Sequence, residues 1–390
     1  MSHSFEIADD ICARMLAWRH DLHANPETAF EEHRTARVVA DALTQMGIAV
    51  HRGLAGTGVV GTLTNGDGPS IALRADMDAL DMQELGSKAY KSTHAGKMHG
   101  CGHDGHTAML LGAAEQLARH KAFKGTVHFV FQPAEENEGG GRKMVEEGLF
   151  ERFPADAVYG MHNIPNIPCG KFAIRSGVAT AFLDTFEILI TGRGCHAAMP
   201  EKGIDPIVVS AGLVNSLQSI VSRRIGALES AVVSLTQIHG GDTWNVVPEN
   251  VVLRGTVRTL SAEVQNQVEA EMGQICEGMA QTHGATINLK YMRRYPGVIN
   301  TPAETDAAAS AAVSLVGKAR VQTDVKPAMG SEDFAFMLQK RPGAYICLGA
   351  GEGPNDPPLH NPYYDFNDSI LPLGAAYWVA LVKQQLPADQ

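Results

Sequence analysis

The densest chemistry in this sequence is the stretch Cys101-Gly102-His103-Asp104-Gly105-His106, which sets a thiol, two imidazoles and a carboxylate around two glycines. Thiolate and imidazole are the ligands that borderline-soft divalent metals prefer, and the Cys-x-His spacing puts Cys101 and His103 close enough to chelate one ion. Glycine lets the backbone bend tightly, so the two side chains can converge. The alternative is an inert core cysteine beside surface histidines, a common arrangement. Three downstream stretches weigh against it. Gln132-Pro133-Ala134-Glu135-Glu136-Asn137-Glu138 closes a strand-like run with adjacent carboxylates, Met161-His162-Asn163 closes another, and Leu359-His360-Asn361-Pro362 lies near the C-terminus.

Elements far apart in the chain must bring these stretches together. At 390 residues the chain exceeds the size at which one hydrophobic core stops growing, so two domains are expected. A hydrophobic content of 44% and a charged content of 19% suit a globular protein. The formal net charge of -11 argues against nucleic acid and an anionic membrane surface as partners, since either would repel the chain. Met1 to Asp10 carries acids where a secretory signal would have a basic and then an apolar segment, and no 18-residue apolar run follows. A cytoplasmic location is expected. The six cysteines, at 12, 101, 169, 195, 276 and 347, show no framework spacing and suit free thiols in a reducing compartment.

Ile11, Met15, Trp18 and Leu22 repeat at helical spacing and predict a first helix that stops before Asn25-Pro26. Thr28 and Glu31 read as a capping box for a second helix, with Ala36, Val39, Leu43 and Met46 as its apolar stripe and Gly47 as its stop. Residues 58–63 and 70–75 are apolar runs separated by Asn65-Gly66, a strong hairpin signal. The second run ends in Asp76-Met77-Asp78. Open α/β sheets place their sites at the C-terminal ends of strands, and two solvated turn aspartates are the equal alternative. Residues 107–120 predict a helix with the candidate ligands in the loop before it, and residues 126–131 a buried strand that delivers Glu135 and Glu136. Neighbours on an extended segment point opposite ways. One carboxylate could therefore bind metal while the other faces a bound water as general base. An acidic surface turn is the plainer reading of Glu-Glu, and it loses ground because an apolar run carries the pair straight out of a core strand. Residues 157–161 repeat the pattern, with His162 at the strand end.

From residue 182 the organisation changes. Strands are expected over 182–190, 231–239, 250–260 and 285–291, and helices over 205–224 and 261–283. That order, βαββαβ, matches a split-βαβ, ferredoxin-like unit able to fold as an insertion. His360 lies beyond it and must return to join the earlier ligands. The fold class expected is α/β, a discontinuous catalytic domain formed by residues 1–181 and 297–390 with a lid or dimerisation domain inserted over 182–296. The second catalytic part should hold helices over 304–318, 333–338 and 374–385 and a strand over 344–348. The sequence shows no solenoid-length repeat and no low-complexity tract.

Arg19-His20-Asp21-Leu22-His23 with Pro26-Glu27, Ala75-Asp76-Met77-Asp78-Ala79, the Cys101 stretch, Phe131-Gln132-Pro133-Ala134-Glu135-Glu136 and Gly160-Met161-His162 follow one another along the first half. Gly194-Cys195-His196-Ala197-Ala198, Asn245-Val246-Val247-Pro248, Gly330-Ser331-Glu332-Asp333-Phe334 and Leu359-His360-Asn361 complete the set. In this order they resemble the M20 metallopeptidase family, in particular its amidohydrolase branch of hippurate hydrolases, N-acyl-amino-acid amidohydrolases and auxin-conjugate hydrolases. The resemblance implies that Cys101, His103, Glu136, His162 and His360 hold two divalent metals per subunit, zinc, manganese, cobalt or nickel. It implies that Glu135 is the catalytic base, that Asp78 orients a ligand, and that His196 from the inserted domain donates to the developing oxyanion. Asn245 and Arg258 look like the pair that receives the substrate's free carboxylate, since arginine offers a bidentate fork. On bare spacing, His196 reads as a loop histidine and Arg258 as a strand residue covering a sheet face. Gly100, Cys195 and Asn137-Glu138 depart from the branch pattern without removing a ligand, and Glu138 is expected to face solvent.

The chemistry expected is hydrolysis of the amide of an N-acyl amino acid, a small-molecule substrate, to a carboxylic acid and a free amino acid, by a homodimer or a dimer of dimers. Two alternatives stay open: a dipeptidase or aminopeptidase of the same family, and a metal-binding scaffold without turnover. An intact Glu135 and five protein ligands shared by two ions favour the enzyme, because structural zinc sites are closed by four.

Overall fold

The computed structural model describes residues 7–136 and 138–388; Asn137 and the first six residues of the acidic N-terminal stretch lie outside them. Helices α1 (Asp9–Ala24) and α2 (His33–Gln45) lead into strands β1 (Ala49–Leu54), β2 (Gly58–Asn65) and β3 (Ser70–Asp76), helix α3 (His103–His120), and strands β4 (Gly125–Gln132), β5 (Ala157–Pro168) and β6 (Phe172–Ala173). Next come β7 (Phe182–Thr191), α4 (Pro206–Ser219), β8 (Ala231–His239), β9 (Asn250–Thr259), α5 (Ala262–His283) and β10 (Thr286–Tyr295). The chain closes with α6 (Pro302–Val316), β11 (Val321–Gln322), β12 (Gly343–Gly351) and α7 (Leu371–Gln385).

These elements fall into two compact units. The chain up to Ala179, Ile299–Lys326 and the residues from Asp333 onward form the first; Thr180–Val298 and Pro327–Glu332 form the second. The first holds an eight-stranded sheet in the order β1-β2-β4-β3-β5-β12-β6-β11. Its centre is parallel, β4 with β3, β3 with β5 and β5 with β12. β3 is buried at every position after Ser70, as a parallel strand covered on both faces must be. Helix α3 is buried along nearly its whole length, and an apolar run of Ala, Leu, Met and Gly is what such a core helix requires. Met15, Val39, Leu73, Phe129, Ile346 and Trp378 belong to one core with it. The second unit is an antiparallel sheet in the order β8-β9-β7-β10 with its own core, including Phe186, Ile188, Leu213, Leu253 and Met272. Residues along β7 alternate between buried and half-buried, so one face of that sheet is packed.

Several local expectations are corrected. Asn65-Gly66 does not join β2 to β3 as a hairpin, because β4 lies between them, antiparallel to β2 and parallel to β3. The hairpin partner of β2 is β1, turned at Ala55 and Gly56 with φ of 49° and 83°. A turn signal marks where a chain bends, and tertiary pairing decides which strand lies alongside. The capping box of Thr28 and Glu31 does not form either. α2 starts at His33, and the Glu27 carboxylate accepts from Arg34 N at 2.9 Å and Thr35 N at 2.7 Å, meeting two of the helix's open amides. α3 begins at His103 rather than at residue 107, which places His103 in its first turn. β5 runs on past His162 to Pro168. The helix read over 333–338 is only Ala335–Leu338, and Pro327–Glu332, read as part of the returning half, clusters with the second unit.

Candidate metal centre and base

β4 ends at Gln132, and two residues later Ala134 takes a left-handed φ of 52°. Glu135 and Glu136 therefore sit in a turn, not on an extended segment, and they do not point opposite ways. One carboxylate oxygen of each and one ring nitrogen of His103 lie within 4.8 Å of one another. Two further groups meet the same limit: Cys101 with His103 and His162, and Cys101 with Glu136 and His360. The first unit thus gathers all five candidate ligands and Glu135, with the Cys101 thiol shared between the two groups.

The hydrogen bonds around these side chains decide which lone pairs remain. His103 Nδ1 lies 2.9 Å from the Asp78 carbonyl and 3.2 Å from Asp78 Oδ1, so it carries the proton and Nε2 the lone pair. That Nε2 is buried without a hydrogen-bond partner. His162 Nδ1 donates to the Asn163 carbonyl at 2.7 Å, which turns Nε2 toward Cys101 Sγ at 3.4 Å. Glu136 Oε1 lies 3.1 Å from His360 Nε2 without an aligned hydrogen bond. Asp78 Oδ2 meanwhile accepts from Glu136 N at 2.9 Å, so one aspartate braces two candidate ligands. Burial pushes the Cys101 thiol up, and burial together with His106 pushes His162 down. Facing Cys101 and Glu136, His360 is raised to about 10, which marks the place as one that favours positive charge. Sulfur, nitrogen and carboxylate oxygen converging with lone pairs inward form a donor set that fits divalent cations.

Other members of the site carried weaker signals. His106 Nδ1 lies 2.6 Å from Asp76 Oδ1, and its Nε2 lies 2.7 Å from Asn163 Oδ1. Arg74 donates to Asp76 Oδ2 at 2.7 Å and to Asp333 Oδ1 at 3.1 Å, and Gln132 and the Gly141 amide also donate to Asp333, both at 2.7 Å. Asp76, His106 and Asp333 all stood in stretches noted above, but nothing in spacing pairs residues so distant in the chain. Asp104 accepts from His23 at 2.7 Å and faces Arg19 Nε at 3.4 Å. Burial works against charge on His23, but the hydrogen bonds to Asp104 and Glu84 and the charge of Asp104 together outweigh it and raise the imidazole to about 9. Glu138 is exposed.

In the second unit His196 and Asn245 are neighbours. His196 pairs with Val246 in a two-stranded ladder, its Nδ1 accepts from Ala198 N at 3.0 Å, and the Asn245 carbonyl accepts from Ala197 N at 2.9 Å. Both residues are exposed. Arg258 lies on β9, half-buried, with Nη1 donating to Thr256 Oγ1 and to the Val257 carbonyl. It therefore has local partners as well as a guanidinium face.

A model of peptidase family M20/M25/M40 matches residues 72–384. A hippurate hydrolase of Campylobacter jejuni is 40% identical over 369 residues, covering 94% of this chain and 95% of that protein. An N-acetylcysteine deacetylase of Bacillus subtilis is 38% identical over 371 residues, covering 94% and 96%. The crystal structure of Bacillus subtilis YXEP, described as a dinuclear metal binding peptidase from the M20 family, superposes with a TM-score of 0.84 at 34% identity over 96% of this chain and 98% of that one. With its cysteine, histidines and carboxylates gathered at one place and these likenesses running nearly end to end, the chain belongs to peptidase family M20/M25/M40.

Proposed function

We propose that this protein is a metal-dependent amidohydrolase that cleaves the amide bond of N-acyl amino acids, of the hippurate or N-acetyl type, into a carboxylic acid and a free amino acid. The observation that carries the reading is the convergence of Glu135 with Glu136 and His103 inside 4.8 Å, a base beside the ligand set. Cys101, His103, Glu136, His162 and His360 would hold two divalent cations, zinc, manganese, cobalt or nickel. When bound, such cations polarise the substrate carbonyl and acidify water. Glu135 takes the proton of the attacking water as the new C–O bond forms, and returns it to the leaving nitrogen as the C–N bond breaks. Asp78 holds His103 in one tautomer and the Glu136 amide in place. His196 is assigned to the developing oxyanion, and Asn245 with Arg258 to the substrate carboxylate.

We read the second unit, Thr180–Val298 with Pro327–Glu332, as a ferredoxin-like lid and dimerisation domain and the first unit as the catalytic half, a division close to the expected 182–296 against 1–181 and 297–390. A homodimer in the cytoplasm completes the reading. No described helix is long and apolar enough to cross a membrane. The test is a panel of N-acetyl, N-benzoyl and N-indoleacetyl amino acids, with free dipeptides alongside, on protein stripped by chelator and reloaded with each metal. Hydrolysis of the acylated compounds that vanishes on stripping and returns on reloading is expected. Preference for a free α-amine would shift the assignment to a dipeptidase, and a protein that unfolds on stripping and never turns over would be a scaffold.

A further inference from the structure

Glu135 can serve as a base only if the turn that carries it is held, and this turn begins at a residue poorly suited to its conformation. Ala134 sits at φ of 52°, where a Cβ is disfavoured, so surrounding contacts must impose the geometry. The contact that reaches it comes from the loop before α2. Glu32, which is fully buried, accepts from Ala134 N at 2.9 Å and Phe30 N at 3.1 Å through Oε1, and from the Thr57 hydroxyl at 2.6 Å through Oε2. Thr57 belongs to the β1–β2 turn, so one carboxylate joins three loops. The Ala134 carbonyl accepts from Gly140 N at 2.8 Å, which fixes the next peptide, the one that leads into Glu135. Beyond Glu135, the Glu136 amide is bound separately by Asp78.

We infer that Glu32 is a positioning residue for the base: its Oε1, by fixing the Ala134 amide, sets the direction in which Glu135 leaves the backbone, while Asp78 independently sets Glu136. This rests on the reading of Glu135 as the base. It separates two effects that adjacent residues would normally share. Loss of the Glu32 acceptor should disturb Glu135 and spare the candidate metal ligand beside it. What the position requires is an acceptor oxygen, not a charge. Glutamine supplies one, with its amide nitrogen toward the Thr57 hydroxyl, whose oxygen can accept; alanine supplies none.

The test compares Glu32→Gln and Glu32→Ala with the parent protein, each loaded with Zn²⁺ or Mn²⁺. Three quantities are read: kcat and KM on an N-acyl amino acid, bound metal by elemental analysis, and amide hydrogen exchange of the peptide spanning Phe131 to Glu136. Glu32→Ala should lower kcat at least about tenfold, with KM and bound metal within about twofold, and exchange should accelerate in that peptide but not in β3. Glu32→Gln should keep kcat within about threefold and leave exchange slow. A kcat for Glu32→Ala within threefold of the parent, or equal damage in both variants, overturns the inference. So does a loss of kcat that merely follows loss of metal and of folded protein. If the parent itself hydrolyses no substrate on the panel, the amidohydrolase reading fails, and exchange alone judges Glu32: unchanged exchange in Glu32→Ala sinks the positioning role, and selective acceleration upholds it.

Discussion

As the proposed base, Glu135 must accept and then release a proton, and an amide of the same shape can do neither. Glu135→Gln should keep its bound metal and lose at least about 10²-fold in kcat, as removal of a general base does. Near-parental turnover at unchanged metal content would assign the base elsewhere. Cys101 is shared by both ligand groups, so Cys101→Ser exchanges a thiolate for a poor hydroxyl ligand at the point where the loss is greatest. Dialysis against a graded chelator should strip the variant at lower concentration than the parent; full occupancy in both would remove Cys101 from the ligand set. Glu32 makes a prediction about pH. Burial, opposed by the Thr57 hydrogen bond and helped by nearby Asp78, raises its carboxyl from 4.5 to about 7. Between those values the folded chain keeps a proton that the unfolded chain has released, so this group lowers stability as pH rises from 4.5 to 7, and the whole penalty is present above 7. Glu32→Gln removes it. The variant should gain up to roughly 3 kcal/mol relative to the parent at pH 8, and the advantage should fade toward pH 4.5. Denaturant melts at the two pH values give the difference, and an equal advantage at both would contradict the assignment.

Elements matter here through how closely they approach. A Cβ at Gly105, in the first turns of α3, would lie 2.2 Å from the Phe366 ring, and Phe366 is itself buried. Gly273 sits in α5, where a Cβ meets nothing within 4 Å. Gly105→Ala should therefore destabilise by about 1–3 kcal/mol and weaken metal binding, since His103 shares that turn, whereas Gly273→Ala should stabilise by up to about 1 kcal/mol. Chemical denaturation of the two variants checks the contrast, and two stabilised proteins would mean that α3 can shift without cost. The same approach explains what could be read from the sequence. Helical periodicity placed α1 and α2 within a few residues, because Ile11, Met15 and Leu22 in one and Ala36, Val39 and Leu43 in the other are buried on one side. The donor side chains of Cys101, His103, His162 and His360 could be picked out by type and by their places beside strand and helix ends, and the fold gathers them into candidate groups. Pairing was not visible: Asn65-Gly66 bends the chain as expected, yet β4 takes the place beside β2 that a hairpin would have given β3. Nor was the convergence of Glu135 and Glu136, since a left-handed alanine has no signature in sequence. Asp76 with His106, and Arg74 with Asp333, are partners only because the central strands are parallel and return far along the chain.

At the scale of the whole molecule, the oxyanion role proposed for His196 can be served by its own chain or by a second copy. β8 is an edge of the four-stranded sheet, and its Val232 and Ile238 are 42% and 58% exposed. An exposed apolar edge invites pairing with another strand, and a second copy of the same edge is the simplest partner, through a two-fold axis. In such a dimer we assign His196 to the partner's catalytic centre, as the family resemblance implies. Complementation decides it. His196→Ala and Glu135→Ala should each be nearly inactive alone. In a mixed dimer, the subunit that keeps Glu135 would receive an intact His196 from the other, while the second site would lack both groups. Random pairing makes about half of the dimers hybrids with one working site of two, so co-refolding should recover up to about a quarter of the parental activity. If His196 serves its own chain, every site in the mixture lacks one group. Hybrid dimers demonstrated by differential tagging, with no activity above that of the separate variants, would return His196 to its own subunit; recovery that rises with the hybrid fraction would establish the exchange.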